Sequence, residues 1–350
     1  MNSLFYFKCG RNLVIPRNCI TFANEMMNEE KPLVSFILTY YNLPVQMLCE
    51  CIDSILALSL TPEEREIIVV DDGSDTSPMN GLMQYGDTII YVRQKHEGVS
   101  VARNTALRMA KGSYIQIVDG DDCLLKEPYE KCLDIIRQHP DAEVVMFDFT
   151  RHKTATSSAL PAIKPVSGAE LMKNHNIRGA VWCCLFRQSV RSRLEFTPGV
   201  AYSEDEEFTP QLLLRAEVVY ATDIKAYYYR KHPASAVSHT DEASIDKRLD
   251  DTKSTILNLH LKADRLPLND RLALQRRVAQ LTMDYIYNTM VLTRSAKCVD
   301  QRIEELRAEG LFPLPDQNYS TKYKWFRRMT NSAMGRRILL TTLPLMKKER

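Results

Sequence analysis

"AKGSYIQIVDGDD", residues 110–122, is the stretch on which the fold turns. Its apolar run to Val118 is short and nearly continuous, so it reads as a strand buried on both faces of a parallel sheet. Three carboxylates, Asp119, Asp121 and Asp122, then fall within four positions. Such charges repel unless a cation, a hydrogen-bond network or water lies against them. Closely spaced Asp oxygens suit a hard divalent ion, Mg²⁺ or Mn²⁺, which takes one or two carboxylates plus phosphate oxygens. An exposed acidic turn explains the spacing equally well; placement at a strand end favours the metal site.

Working outward, the same kind of apolar run recurs at 33–40 ("LVSFILTY"), 66–70 ("EIIVV") and 88–92 ("TIIYV"). Helical periods at 45–58 and 98–112 separate them, with Gly112 as the expected stop of the second. A helix at about 127–138 and a strand, "AEVVMFDF" (142–149), follow. Alternation on this scale predicts an α/β fold with a mostly parallel sheet flanked by helices. In open sheets of this kind, ligands bind beyond the carboxyl ends of the strands. Thr39–Tyr41–Asn42, Asp71–Asp72–Gly73–Ser74 and Asp119–Asp121–Asp122 all stand at such ends, so neighbouring strands would bring them to one crevice. Past residue 151 a short helix is expected at 207–216 and one or two strands at 218–230. From about 243 the apolar spacing turns helical over 243–266 and 270–292.

Composition sets the outer limits. Hydrophobic residues make up 45% and charged residues 26% of 350, with a net charge of +2, so average charge points to neither nucleic acid nor membrane. Nine scattered cysteines without zinc-site spacing suit free thiols in a reducing compartment. No segment has the apolar length to span a bilayer, and residues 1–31 lack the pattern of a signal peptide. They read as a loosely held arm preceding the fold, or as a mis-assigned start.

Several motifs in order resemble the family 2 glycosyltransferases, enzymes of the GT-A fold: "VSFILTYYN", "CIDSILALSL", "EIIVVDDGSD", "GVSVARN" and "AKGSYIQIVDGDD". Farther on, "SEDEEFTPQLLLRA" is similar to the family's acidic motif and "YYYRKHPASAVS" to its diphosphate-closing segment. The resemblance covers about 32–240. It implies a nucleotide-sugar half (32–122), an acceptor side with the catalytic base (123–240), and beyond the family region a helical C-terminal part (241–350). It also implies roles residue by residue. Thr39 and Tyr41 would line the nucleobase and ribose pocket. Asp72 would accept the base N–H, favouring uracil, and Arg103 would lie against the base or the diphosphate. Asp119, Asp121 and Asp122 would divide the ribose and the metal, with His232 as a further candidate ligand. Arg230 and Ser235 would meet the diphosphate, and Asp205 would be the general base. His96 and Cys184 depart from the family pattern, the second on the acceptor side.

By charge alone, Glu204 to Glu207 are simply an acidic first helical turn. Displacing a nucleoside diphosphate from a sugar nevertheless needs one carboxylate to take the acceptor proton, with inversion at the anomeric carbon. The resemblance implies a hexosyl- or N-acetylhexosaminyl-transferase that uses a UDP-sugar with Mn²⁺ or Mg²⁺ and acts on a glycan or lipid-linked saccharide. The alternatives are a sugar-phosphate nucleotidyltransferase, against which stands the glycine-free "TYYNLP" after the first strand, and a non-catalytic nucleotide-sugar binding module, which would need no base.

The tail is a separate signal. Residues 321–350 carry nine Lys or Arg against one Glu, a net +8, interleaved with Trp325, Phe326, Met329, Ile338, Leu339, Leu340, Leu343 and Leu345. Such a segment is expected to pack on the domain or to lie in an anionic membrane surface. The second reading places a cytoplasmic enzyme peripherally on the membrane's cytoplasmic face.

Overall fold

The computed structural model describes residues 31–153, 164–232, 241–317 and 319–346. The expectations for the N-terminal arm and for Ser235 lie outside them. Strands β1 (Val34–Tyr40), β2 (Arg65–Asp71), β3 (Ile90–Arg93) and β4 (Tyr114–Asp119) form a parallel array in the order β3-β2-β1-β4. The sheet continues through β7 (Cys184–Arg187), β6 (Val144–Thr150), β8 (Val219–Tyr228) and β5 (Cys123–Leu124). β7 runs antiparallel to both β4 and β6, so the eight-stranded sheet is mixed, with a mostly parallel character.

Each parallel strand is apolar on both sides because helices cover both faces. Phe36, Leu38, Val69 and Val118 point into one core and Ile37, Ile68 and Ile117 into the other. Helix α1 (Val45–Leu56) buries Leu48, Cys49, Cys51, Ile52 and Ile55 on one face. Full burial of each Leu or Ile contributes about 1.5–3 kcal/mol. Helix α2 (Val99–Met109) ends at Ala110, two residues before the expected stop. Gly112 instead admits the backbone of β1, since a Cβ there would sit 2.5 Å from Ser35 N. Helices α3 (Lys126–Gln138), α4 (Gly168–Asn174) and α5 (Glu204–Leu213) complete this part.

The C-terminal helices are α6 (Glu242–Ala263), α7 (Leu268–Thr293), α8 (Ala296–Ala308), α9 (Thr321–Thr330) and α10 (Ala333–Met346). They share a core of their own, and α7 also packs along α4. Tyr323, Phe326, Leu339 and Leu343 of the basic tail belong to that core, whereas Trp325 and Ile338 are exposed.

Strand register delivers the polar ends together. Thr39 lies opposite Val70 on one side and Asp119 on the other, and Tyr40 lies opposite Asp71. The turn after β4 needs a glycine: a Cβ on Gly120 would stand 2.7 Å from the Thr39 carbonyl oxygen.

Candidate active site

Asp72 follows β2 and is buried. Its Oδ1 accepts from Gln94 Nε2 (2.8 Å) and Glu97 N (3.0 Å). Its Oδ2 accepts from Gly98 N (2.8 Å) and lies 2.8 Å from His96 Nδ1. Four groups of residues 94–98 thus surround one carboxylate, and a nucleobase N–H can join it only by displacing one of them. His96 is exposed, with 52% of its side-chain surface open. Its ring stacks on Tyr41, which is itself 41% exposed, at 4.0 Å between centroids and 11° between planes. Thr39, Tyr41 and Asp72 therefore share one edge of the crevice, and His96 joins them there. The motif comparison gave His96 no weight; its stacking partner is 55 positions away and no local pattern signals it.

The second pole is built around Arg103, of which only 2% is exposed. Its Nη2 donates to Asp119 Oδ1 (2.8 Å), and its Nη1 donates to Glu204 Oε1 (2.9 Å) and Asp205 Oδ1 (2.7 Å). One guanidinium thus joins the end of β4 to the first turn of α5, rather than facing a base or diphosphate in this conformation. Three carboxylates against one cation leave excess negative charge. Burial pushes the Asp205 carboxyl well above the ordinary carboxylate range; Arg103 opposes that shift, and Glu204 and Asp119 reinforce it. Glu204 is raised for the same leading reason. Asp205 keeps 14% of its side-chain surface open. Cys184 lies beneath, fully buried, with its thiol pushed up to about 12 by burial and then by the charge of Asp205.

The remaining carboxylates close the crevice. Asp122 Oδ1 accepts from Arg230 N (2.7 Å), and Asp121 Oδ2 lies 2.7 Å from His232 Nε2. Arg230 turns its guanidinium to the Asp121 carbonyl (2.7 Å) and to Glu50 Oε2 (2.8 Å). Burial, then the charges of Asp121 and Asp119, push the Asp122 carboxyl up to about 9. A carboxyl raised by burial and by two like-charged neighbours is a place where a divalent cation is favourable. Among the described residues, no three His, Cys, Asp or Glu side chains converge on one point. A hard divalent ion takes one or two protein carboxylates and completes its shell with phosphate oxygens and water. Asp121 and Asp122 fit that donor set, with His232 adjacent.

Residues 35–193 match the model described as Glycosyl transferase family 2. These residues form a family 2 glycosyltransferase domain of the GT-A type. Asp205, Arg230 and His232 lie beyond the matched span of this domain. The chain is 29% identical over 233 residues to the uncharacterized glycosyltransferase EpsJ of Bacillus subtilis, covering 62% of this chain and 67% of that one. Other curated relatives of the chain are matched over less than half of their own length. Among solved structures, S. aureus TarS 1–349 in complex with UDP-GlcNAc superimposes with a TM-score of 0.60 at 18% identity, covering 90% of this chain and 91% of that one. The mannosyltransferase PcManGT from Pyrobaculum calidifontis, in complex with GDP-Man and Mn²⁺, gives 0.53 at 15% identity, covering 91% and 88%. At these identities the two structures speak to the fold. Among the described residues, no helix is long and apolar enough to cross a membrane.

Proposed function

We propose that the chain is an inverting glycosyltransferase that moves a hexosyl or N-acetylhexosaminyl group from a UDP-sugar to a hydroxyl of a glycan or lipid-linked saccharide, in polysaccharide synthesis. The observation that carries this reading is the Arg103 bridge, which holds a buried but reachable carboxylate, Asp205, beside the DGDD turn. In the reaction, the acceptor oxygen attacks the anomeric carbon as its proton passes to the Asp205 carboxylate. The bond from that carbon to the diphosphate oxygen breaks, its electron pair leaves on the nucleoside diphosphate, and the anomeric configuration inverts. Thr39, Tyr41 and Asp72 orient the nucleoside, with His96 yielding its place on Asp72 to the base. Arg103 aims Asp205 and opposes the upward shift of its carboxyl. Asp121 and Asp122 would hold Mn²⁺ or Mg²⁺, and the ion would supply Lewis-acid neutralisation of the departing diphosphate. The domain family and the complexes of TarS and PcManGT with nucleotide-sugars support the donor class.

A nucleotidyltransferase needs a phosphate-cradling glycine loop after β1, where "YNLP" stands. A binding module gains nothing from burying Asp205 and Glu204 against a single arginine. The test is a screen of nucleotide-sugars for release of nucleoside diphosphate, with and without chelator. Full activity in excess chelator sinks the metal assignment, and no release from any sugar nucleotide sinks the enzyme reading.

The location belongs to the same proposal. On α9 and α10 the outward face carries Trp325, Met334 and Ile338 together with Lys322, Lys324, Arg328 and Arg337. Arg327 and Arg336 are instead paired with Asp316 and Asp300. Apolar side chains entering an interface with cations at the phosphates suit an anionic membrane surface, at about 1 kcal/mol per basic residue. Phe326, Leu339 and Leu343 are core, so truncating the tail would damage the fold; reversing the four outward charges is the cleaner perturbation. That variant is expected to lose sedimentation with vesicles containing phosphatidylglycerol. Equal binding to zwitterionic vesicles, or undiminished binding by the variant, refutes the placement.

A further inference from the structure

Beyond the donor and the base, a four-ring aromatic cluster stands beside the same crevice without a part in the chemistry derived above. Trp182, in the turn Val181–Cys183, lies 4.6 Å from the ring of Tyr227 and 5.8 Å from that of Tyr229, with interplanar angles of 33° and 24°. Phe149 meets Trp182 and Tyr229 edge-on at 5.5 and 5.8 Å. Of the four rings only Tyr227 is fully buried; Phe149, Trp182 and Tyr229 keep part of their surface open.

The cluster lies between the two groups that must meet across an acceptor. Tyr227 Oη accepts from Asp119 N at 3.1 Å, which ties the rings to the DGDD turn. The Val181–Cys183 turn packs on α5, the helix that begins with Glu204 and Asp205. The Trp182 carbonyl accepts from Gln116 Nε2 at 2.9 Å, so β4 fixes the turn from below. At the rim, Arg178 and Asp148 form an exposed ion pair, and the Arg178 guanidinium lies 4.5 Å over the Phe149 ring.

We infer that Phe149, Trp182 and Tyr229 form the platform for a pyranose ring of the acceptor, a subsite resting on the glycosyltransferase reading above. A pyranose presents a face of C–H bonds that packs on aromatic rings, while its hydroxyls point outward in the ring plane. The part-open rings supply apolar surface, and Arg178, which lies over Phe149, supplies donors at its rim with Asp148 as an acceptor. A free phosphate or a purely lipidic ligand would use little of this surface.

The chain has two tryptophans, and the other, Trp325, is on the outward face of α9. Trp325→Phe therefore leaves Trp182 as the only indole and a direct reporter. Titration of that variant with methyl hexopyranosides, in the presence of uridine diphosphate, is expected to give a saturable change in emission. In turnover, Trp182→Leu is expected to lower kcat/KM for saccharide acceptors by at least tenfold. Donor KM and release of nucleoside diphosphate to water should stay within twofold, and Trp182→Phe should restore most of the loss. No saturable emission change with any of the glycosides overturns the platform, as does a parallel fall of transfer and donor hydrolysis. Failure of the enzyme reading itself has a different signature: no nucleotide-sugar is consumed even by the unaltered chain.

Discussion

Replacing Asp205 by Asn tests the centre of the proposal because it separates chemistry from architecture. The side chain keeps its size and an acceptor oxygen for Arg103 Nη1, which now stands at 2.7 Å from Asp205 Oδ1. It loses the charge and with it the basicity. Loss of a general base is expected to lower kcat by roughly 10²–10⁴-fold, about 2.7–5.5 kcal/mol of barrier. Stability should move the other way or hardly at all. Arg103 faces Asp119, Glu204 and Asp205 together, so the substitution removes one of three mutually repelling carboxylates and leaves two for one cation. The pH profile carries the same logic. Burial raises Asp205, so the ionised form that takes the proton is lost on acidification well above the ordinary carboxylate range. The acidic limb of kcat is expected there, and the Asn variant should lack it. The assay is initial-rate release of nucleoside diphosphate across pH, beside thermal melting of both proteins. Turnover within a few-fold of normal refutes the base assignment, as does an acidic limb near pH 4.

Three further outcomes follow from the geometry. The Asp122 carboxyl is pushed up to about 9, above its unfolded value, so its contribution to stability is full below the unfolded value and is lost as pH rises through 9. Melting in the absence of divalent cation should thus fall between pH 6 and 9, and Asp122→Asn should flatten that fall. Gly120→Ala places a Cβ 2.7 Å from the Thr39 carbonyl and is expected to cost about 1–3 kcal/mol in urea unfolding, with weaker donor binding. Asp251 on α6 accepts through Oδ2 from both Ala201 N (2.9 Å) and Tyr202 N (3.2 Å), just before α5. Asp251→Ala should cost roughly 1–3 kcal/mol and lower kcat, while Asp251→Asn, which keeps one acceptor oxygen, should recover most of both.

The four parallel strands were legible because each is an apolar run between turn residues, and burial on both faces leaves that mark in the chain itself. β7 left no such mark. "CLFR" is four residues long, and what places it between β4 and β6 is its antiparallel pairing with both, a property of three distant segments. The positions of Asp119, Asp121 and Asp122, at and just past the end of β4, were legible together with that strand. Arg103 as the common partner of Asp119 and Asp205 was not, since these two are 86 positions apart and meet only after α5 docks on the sheet. In the tail, the net charge could be counted from the sequence. Which of Trp325 and Phe326 faces outward is decided by the surface of α7 against which α9 packs.

The acidic run 204–207 shows how far a sound local argument can miss a distribution made by the fold. Four carboxylates in a first helical turn do complement the helix dipole, yet here they are divided among three basic partners. Glu204 and Asp205 turn to Arg103 of the sheet-bound α2, Glu206 pairs with Arg277 of α7, and Glu207 pairs with Lys262 of α6 at 3.2 Å. Half of the run thus belongs to the reaction crevice and half anchors α5 to the C-terminal helices. Ser203, the residue before the run, holds φ at +68°, and its hydroxyl meets Thr252 Oγ1 of α6 at 2.8 Å. The position of Asp205 is therefore set from two sides, by a guanidinium presented by α2 and by helices that lie past the matched family region. A mutation in α6 or α7 that touches no substrate would then act on turnover through the tilt of α5, which makes the helical extension part of the catalytic unit.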